Sequence, residues 1–186
     1  VIVEPVLGSA GCIPGDPEYL RMLREETTAL GILLIFDEVM TSRLAWPGAG
    51  EAMGIRPDLM TLGKYLGGGL SFGAFGGRRD LMSRFDPTAT GSLPHAGTFN
   101  NNVLTMAAGA AGLEGVLTPE RLADLNARGD RLRAALNEQL APYGWCASGA
   151  GSMVGLHPVP GPLRSPADLV VADDRRRELL FLDLLD

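Results

Sequence analysis

The sequence predicts an α/β fold: a mostly parallel sheet with helices on its faces. Three observations lead there. Residues 1–6 and 32–36 are short aliphatic runs of the kind that form strands buried on both faces. Between them lies a helical segment with its own start and stop signals. Strand, helix and strand fall within about 36 residues, the span of a right-handed βαβ crossover with parallel strands.

The elements follow in order. Residues 8–15, rich in Gly and Pro, read as a loop. Asp16-Pro17-Glu18 starts a helix: Asp caps, Pro fits the first turn, and Glu suits the positive end of the dipole. Leu20, Leu23 and Leu30 supply its apolar stripe, and Gly31 ends it. The stretch 47–57 reads as a Gly/Pro-rich surface segment, and 59–62 as a strand leading into Gly63-Lys64. Gly67-Gly68-Gly69 implies a tight or closely approached backbone. Residues 72–75 read as a further strand, 79–85 as a short helix, 87–94 as a loop, and 103–117 as a closely packed helix rich in alanine. Thr118-Pro119-Glu120 opens another helix with the stripe Leu122, Leu125, Leu132, Leu136 and Leu140. Residues 143–154 turn into a strand, and 165–185 read as a helix. The change of character near Thr118 divides the chain into domains at 1–118 and 119–186. Both ends fall inside structured patterns, so a piece of a longer chain is expected.

Composition narrows the function. The chain has 186 residues, 46% hydrophobic and 20% charged, with a net charge of −6. That is a composition able to bury a core. The one basic run, Arg175-Arg176-Arg177, is flanked by acids, so no nucleic-acid footprint stands out. Apolar runs are too short to span a bilayer, and no signal peptide is visible. Cys12 and Cys146 lack metal-ligand spacing and read as reduced thiols of a cytoplasmic protein. No metal site is expected.

Two features carry chemistry. Asp37-Glu38 follows a buried strand, and ligands of open α/β sheets sit beyond the carboxyl ends of strands. By itself the pair fits a partner for a protonated pyridine nitrogen, a Mg²⁺ holder of a nucleotide hydrolase, or a solvated strand end. The hydrolase requires G-x-x-x-x-G-K-[ST]. Here Tyr65 follows Gly63-Lys64 and Asp58 replaces the first glycine, so that reading fails. Lys64 is the second feature. The basic residues are nearly all arginine, and this lysine follows a short strand and precedes three glycines. A lysine amine forms an imine with an aldehyde, and partial burial would make the free amine available near neutral pH. A surface lysine without a role is the alternative.

Together these segments resemble a known family. Glu4-Pro5-Val6, Ile35-Phe36-Asp37-Glu38-Val39-Met40-Thr41, Pro57-Asp58-Leu59, Thr61-Leu62-Gly63-Lys64, Gly67-Gly68-Gly69, Gly73-Ala74-Phe75-Gly76-Gly77-Arg78 and Ala96-Gly97-Thr98 are similar to class III, fold type I aminotransferases. The glutamate-1-semialdehyde aminomutases belong to that class. Leu23-Arg24-Glu25-Glu26-Thr27-Thr28, Met40-Thr41-Ser42-Arg43 and His95-Ala96-Gly97-Thr98-Phe99-Asn100-Asn101-Asn102 resemble more closely the branch acting on β-phenylalanine and other β-amino acids. The resemblance implies a three-layer α/β/α large domain, incomplete here, followed by the start of an α+β small domain. It implies pyridoxal 5′-phosphate as cofactor, with an amino acid and a keto acid as substrates. Lys64 would be the Schiff-base lysine and proton carrier. Asp37 would hold the pyridine nitrogen protonated, Val39 would pack on the ring, and Thr98 would donate to the phosphate of the neighbouring subunit of a homodimer. Glu4 would be a structural carboxylate, His95 a structural or interface residue, and Asn100 to Asn102 would line the phosphate site or satisfy backbone groups.

Overall fold

The computed structural model describes residues 1–185. It divides into two compact units, Val1–Pro5 with Pro17–Arg121, and Val6–Asp16 with Leu122–Asp186. The second unit thus includes a segment, 6–16, that the sequence reading grouped with residues 1–118.

The first unit is built on a four-stranded sheet ordered β1-β4-β5-β6, formed by β1 (Ile2–Val3), β4 (Ile35–Asp37), β5 (Leu59–Gly63) and β6 (Gly73–Gly77). β1, β4 and β5 run parallel, and β6 is antiparallel to β5. Helix α1 (Pro17–Ala29) lies in the connection between β1 and β4. Leu20, Leu34, Phe36 and Ile55 form the core, with Val3, Leu23 and Met53 packed against it. Each such side chain contributes roughly 1.5–3 kcal/mol relative to exposure. α2 (Ala49–Ala52), α3 (Arg79–Met82) and α4 (Val103–Gly115) complete the unit. Asn102 caps α4 by accepting from Thr105 N at 3.2 Å.

Several sequence expectations are corrected here. Residues 1–6 are not one buried strand. β1 is only Ile2–Val3 and pairs with β4, and after Pro5 the chain enters a separate hairpin of β2 (Val6–Leu7) and β3 (Ile13–Pro14). The stretch 8–15 therefore contains a strand. The second parallel strand begins at Ile35, and Ile32 and Leu33 are exposed before it. The segment 47–57 is not a surface stretch: it contains α2, and Ala49, Gly50 and Ile55 are buried. Gly31 ends α1 as expected, at φ +65°, but Leu30 lies beyond the last helical residue and is exposed rather than part of the apolar stripe.

In the second unit, α5 (Pro119–Leu140) packs on the hairpin of β7 (Cys146–Ala150) and β8 (Met153–His157). Its buried face is Leu122, Asn126 and Gly129, whereas Leu125 and Leu132 are exposed. The reason is polar. Ser152 N donates to Asn126 Oδ1 at 2.9 Å, Ala147 N to Asn137 Oδ1 at 2.9 Å, and Asn137 Nδ2 to Ala147 O at 2.9 Å. These amides satisfy backbone groups that aliphatic side chains would leave unpaired. Gly129 has no room for a Cβ, which would overlap Gly151 O. Ser148 Oγ donates to Gly11 O at 2.5 Å, and buried His157 Nε2 lies 3.0 Å from the same carbonyl. Burial pushes the His157 imidazole below its usual value. The expected helix over 165–185 is split into a 3₁₀ turn, Pro166–Leu169, with a Ser165/Asp168 capping box, and α6 (Asp174–Asp183).

Asp58 ties the first unit together. Buried just before β5, it accepts from Leu34 N at 2.8 Å, Arg24 Nη1 at 2.9 Å and Arg78 Nη1 at 2.7 Å. Burial alone would raise its carboxyl, but the Leu34 amide and the two guanidiniums outweigh that and hold it at about 2. Its folded value is below the unfolded one, so its stabilisation is full above about pH 4 and is lost as pH falls toward about 2. Asp58→Asn is expected to cost about 2 kcal/mol at neutral pH in urea unfolding, and the gap from the parent narrows as the pH is lowered through that window.

Candidate active site

The strand register decides which side chains meet. Asp37, the last residue of β4, is opposite Thr61 of β5, and β5 runs on to Gly63 and Lys64. Both candidate residues thus stand at the carboxyl edge of adjacent parallel strands, the edge at which α/β sheets bind ligands. Gly73 of β6 pairs with Gly63 and closes this edge from the other side.

Asp37 is half-buried. Its Oδ1 accepts from Thr61 Oγ1 at 3.0 Å and from Val39 N at 3.1 Å. The two donors fix the carboxylate and leave Oδ2 without a hydrogen bond among the described residues. Val39 is also half-buried. A Cβ on Gly63 would lie 3.3 Å from Val39 Cγ1 and 3.1 Å from Phe72 O, so the valine side chain packs over the residue just before Lys64.

Lys64 opens a 3₁₀ turn, Lys64–Gly67, at φ +51°. The left-handed region costs a residue with a Cβ roughly 1–2 kcal/mol, and such strain concentrates where function requires it. The turn is held from beyond. Gly68 adopts φ +62°, and a Cβ there would overlap Ala108 O of α4; a Cβ on Gly109 would come within 2.5 Å of Leu66 O. Ala108 and Gly109 of α4 permit this approach. The expectation of partial burial at Lys64 is not met within this chain, where the residue is exposed. Lysine occurs once in the chain, at this position.

The sequence read Asp37-Glu38 as an acidic pair, and the structure separates the two. Glu38 is fully buried. It accepts from Ala49 N at 2.7 Å, Gly50 N at 2.9 Å and Thr41 Oγ1 at 3.4 Å, which makes it the cap of α2. Thr61 as a hydrogen-bond donor to Asp37, and the capping of α2 by Glu38, are not foreseen in the sequence. Their roles depend on register and on an 11-residue reach to α2, neither of which leaves a sequence signal.

A cavity of about 760 Å³ adjoins the site and reaches Thr61. His95 lies in its wall, edge-on to Phe75 at 5.4 Å and to Phe85 at 6.1 Å, a packing role that agrees with its structural reading. Asn100 to Asn102 also line it. Thr98 lies on the neighbouring exposed loop and is not brought onto Asp37 or Lys64 within this chain. Among the described residues, no group of three or more His, Cys, Asp or Glu is placed to hold a metal ion, and no helix is long and apolar enough to cross a membrane.

A family model described as aminotransferase class-III matches residues 1–160. The chain belongs to this family. As a class-III aminotransferase chain it is 56% identical, over its whole length, to a β-phenylalanine transaminase of Variovorax paradoxus, covering 43% of that protein. It is 45% identical over 95% of its length to a glutamate-1-semialdehyde 2,1-aminomutase of Sorangium cellulosum, covering 40% of it. Its fold matches the crystal structure of a β-phenylalanine aminotransferase from Variovorax paradoxus at a TM-score of 0.95, with 57% identity, covering all of this chain and 43% of that one. The fold is therefore that of the fold type I transaminases. The chain spans less than half the length of the curated relatives it matches.

The split of the acidic pair is directly measurable. Glu38→Gln replaces one of two acceptor oxygens with a donor facing buried N–H groups, and is expected to lower stability by about 1–3 kcal/mol in urea unfolding. Asp37→Asn keeps the oxygen facing Thr61 and Val39 and leaves the midpoint nearly unchanged.

Proposed function

We propose that this chain is the central part of a pyridoxal-phosphate-dependent transaminase that moves an amino group from a β-amino acid to a keto acid. The carrying observation is the placement of Asp37 and Lys64 on adjacent strand ends, with Lys64 held in a strained left-handed turn. The donor set fits the cofactor: a carboxylate with one oxygen left over for a ring nitrogen, an apolar side chain beside it for a ring face, and a primary amine for an aldehyde. When bound, pyridoxal phosphate supplies an aldehyde carbon that takes up an amine and a protonated ring that draws electrons from the carbon bearing it.

The residues divide the work. Asp37 Oδ2 would keep the proton on the ring nitrogen, and the Thr61 hydroxyl and Val39 N–H, both bonded to Oδ1, hold the carboxylate in that orientation. Val39 would cover one face of the ring. Lys64 Nζ would hold the aldehyde carbon and, once a substrate amine has displaced it, would move the proton to and from the carbon bearing that amine. Thr98 Oγ1, exposed on its loop, would donate to the phosphate held by the neighbouring subunit of a homodimer. On this reading residues 1–118, apart from the segment 6–16 that groups with the second unit, would be the second half of the cofactor-binding large domain, and 119–186 would begin the small domain. Identity to a β-phenylalanine transaminase supports the β-amino-acid donor. Identity to an aminomutase supports a second reading, amino transfer within one substrate. A non-catalytic truncated chain is the third.

Borohydride treatment of a full-length protein carrying this chain with pyridoxal phosphate is expected to label the Lys64 peptide, and Lys64→Ala to lose the label. Equal labelling in Lys64→Ala would sink the central claim. Asp37→Asn is expected to keep the label but slow amino transfer at least about 100-fold, as when one preorganised electrostatic partner is removed. Glutamate formed from β-phenylalanine and 2-oxoglutarate identifies the transaminase; turnover of glutamate-1-semialdehyde alone identifies the aminomutase.

A further inference from the structure

Tyr65 follows Lys64, and its side chain reaches back to the segment that follows Asp37. Its O–H donates to Ser42 Oγ at 3.1 Å, and the Arg43 guanidinium stands 4.9 Å from its ring centroid. Ser42 is buried and sits in the 3₁₀ turn Thr41–Leu44. That turn is itself anchored, because Ser42 N donates to Glu38 O at 3.1 Å and Glu38 caps α2. On the other side, Gly68 N donates to Tyr65 O at 3.1 Å, which closes the turn that docks on α4. Tyr65 therefore joins the two segments that carry Asp37 and Lys64. A left-handed φ at a residue with a Cβ persists only where its surroundings over-determine it. The hydrogen bond, the cation–π contact and the α4 docking supply that restraint.

We propose that Tyr65 is a positioning residue: through Ser42 and Arg43 it sets where the Lys64 amine stands relative to Asp37. The proposal rests on the cofactor reading above. It assigns Tyr65 no contact with substrate or cofactor.

The test uses a full-length protein in its cofactor-free form and reads two reactions at the Lys64 peptide by mass spectrometry. One is the rate of pyridoxal phosphate incorporation under borohydride, which depends on where the amine stands. The other is reductive methylation by formaldehyde, which depends on accessibility and basicity alone. Tyr65→Phe keeps the ring over Arg43 and loses only the hydroxyl. It is expected to slow incorporation about fivefold, the worth of one hydrogen bond, with methylation unchanged. Ser42→Ala is expected to match it, and the double variant to be no slower than either single one, since both remove the same bond. Tyr65→Leu, which also loses the cation–π contact, is expected to be slower still; should it not fold, Tyr65→Phe and Ser42→Ala carry the test. Parent-like incorporation in Tyr65→Phe overturns the proposal, as does an equal fall in both reactions. Incorporation that persists in Lys64→Ala overturns instead the cofactor reading on which it rests.

Discussion

The buried carboxylate of Asp58 is the constraint on which the rest of the first unit depends. It sits at the start of β5 and takes hydrogen bonds from the start of β4, from α1 and from the residue after β6. Three elements distant in sequence are thereby held at one point. A buried charge with such partners is costly to misplace, because losing one donor leaves the others compensating an unpaired oxygen. The register it helps to fix sets Asp37 opposite Thr61, and everything at the carboxyl edge follows from that pairing.

The edge shows how one sequence motif serves two physical ends. Asp37 and Glu38 are adjacent, and strand geometry sends neighbouring side chains to opposite faces. Asp37 keeps one oxygen without a hydrogen bond among the described residues, whereas every acceptor of Glu38 is turned to backbone and hydroxyl donors around α2. The first is suited to a ligand and the second to a fold. The segment after them then returns to the lysine turn through Ser42 and Tyr65. Chemistry and support are thus interleaved residue by residue.

Small residues have the same logic in both units. Ala108 and Gly109 let α4 approach the turn after Lys64, and Gly129 lets α5 approach the β7–β8 turn. In each case a helix comes close enough to touch backbone. In the second unit the contact surface is polar, with Asn126 and Asn137 bonded to hairpin backbone groups. Hydrophobic spacing alone does not report such a face, which is why Leu125 and Leu132 were expected inside and lie outside.

The sequence by itself determined the α/β class, the order of the main strands and helices, the family, and the residues Asp37, Val39, Lys64 and Thr98 as candidates. These are written in local signals: caps, glycines, aliphatic runs and ordered motifs with fixed spacing. Tertiary structure alone decided that β1 ends at Val3, that 6–16 leaves the sheet for a hairpin in the second unit, and that 47–57 is anchored by Glu38. It also decided that Thr61 holds Asp37, that Tyr65 braces the lysine turn, and that Lys64 is exposed and strained. The physical reason is common to all of these. Each depends on strand register or on a hydrogen bond between residues far apart in sequence, and pairings at that distance leave no period or spacing in the chain from which to read them.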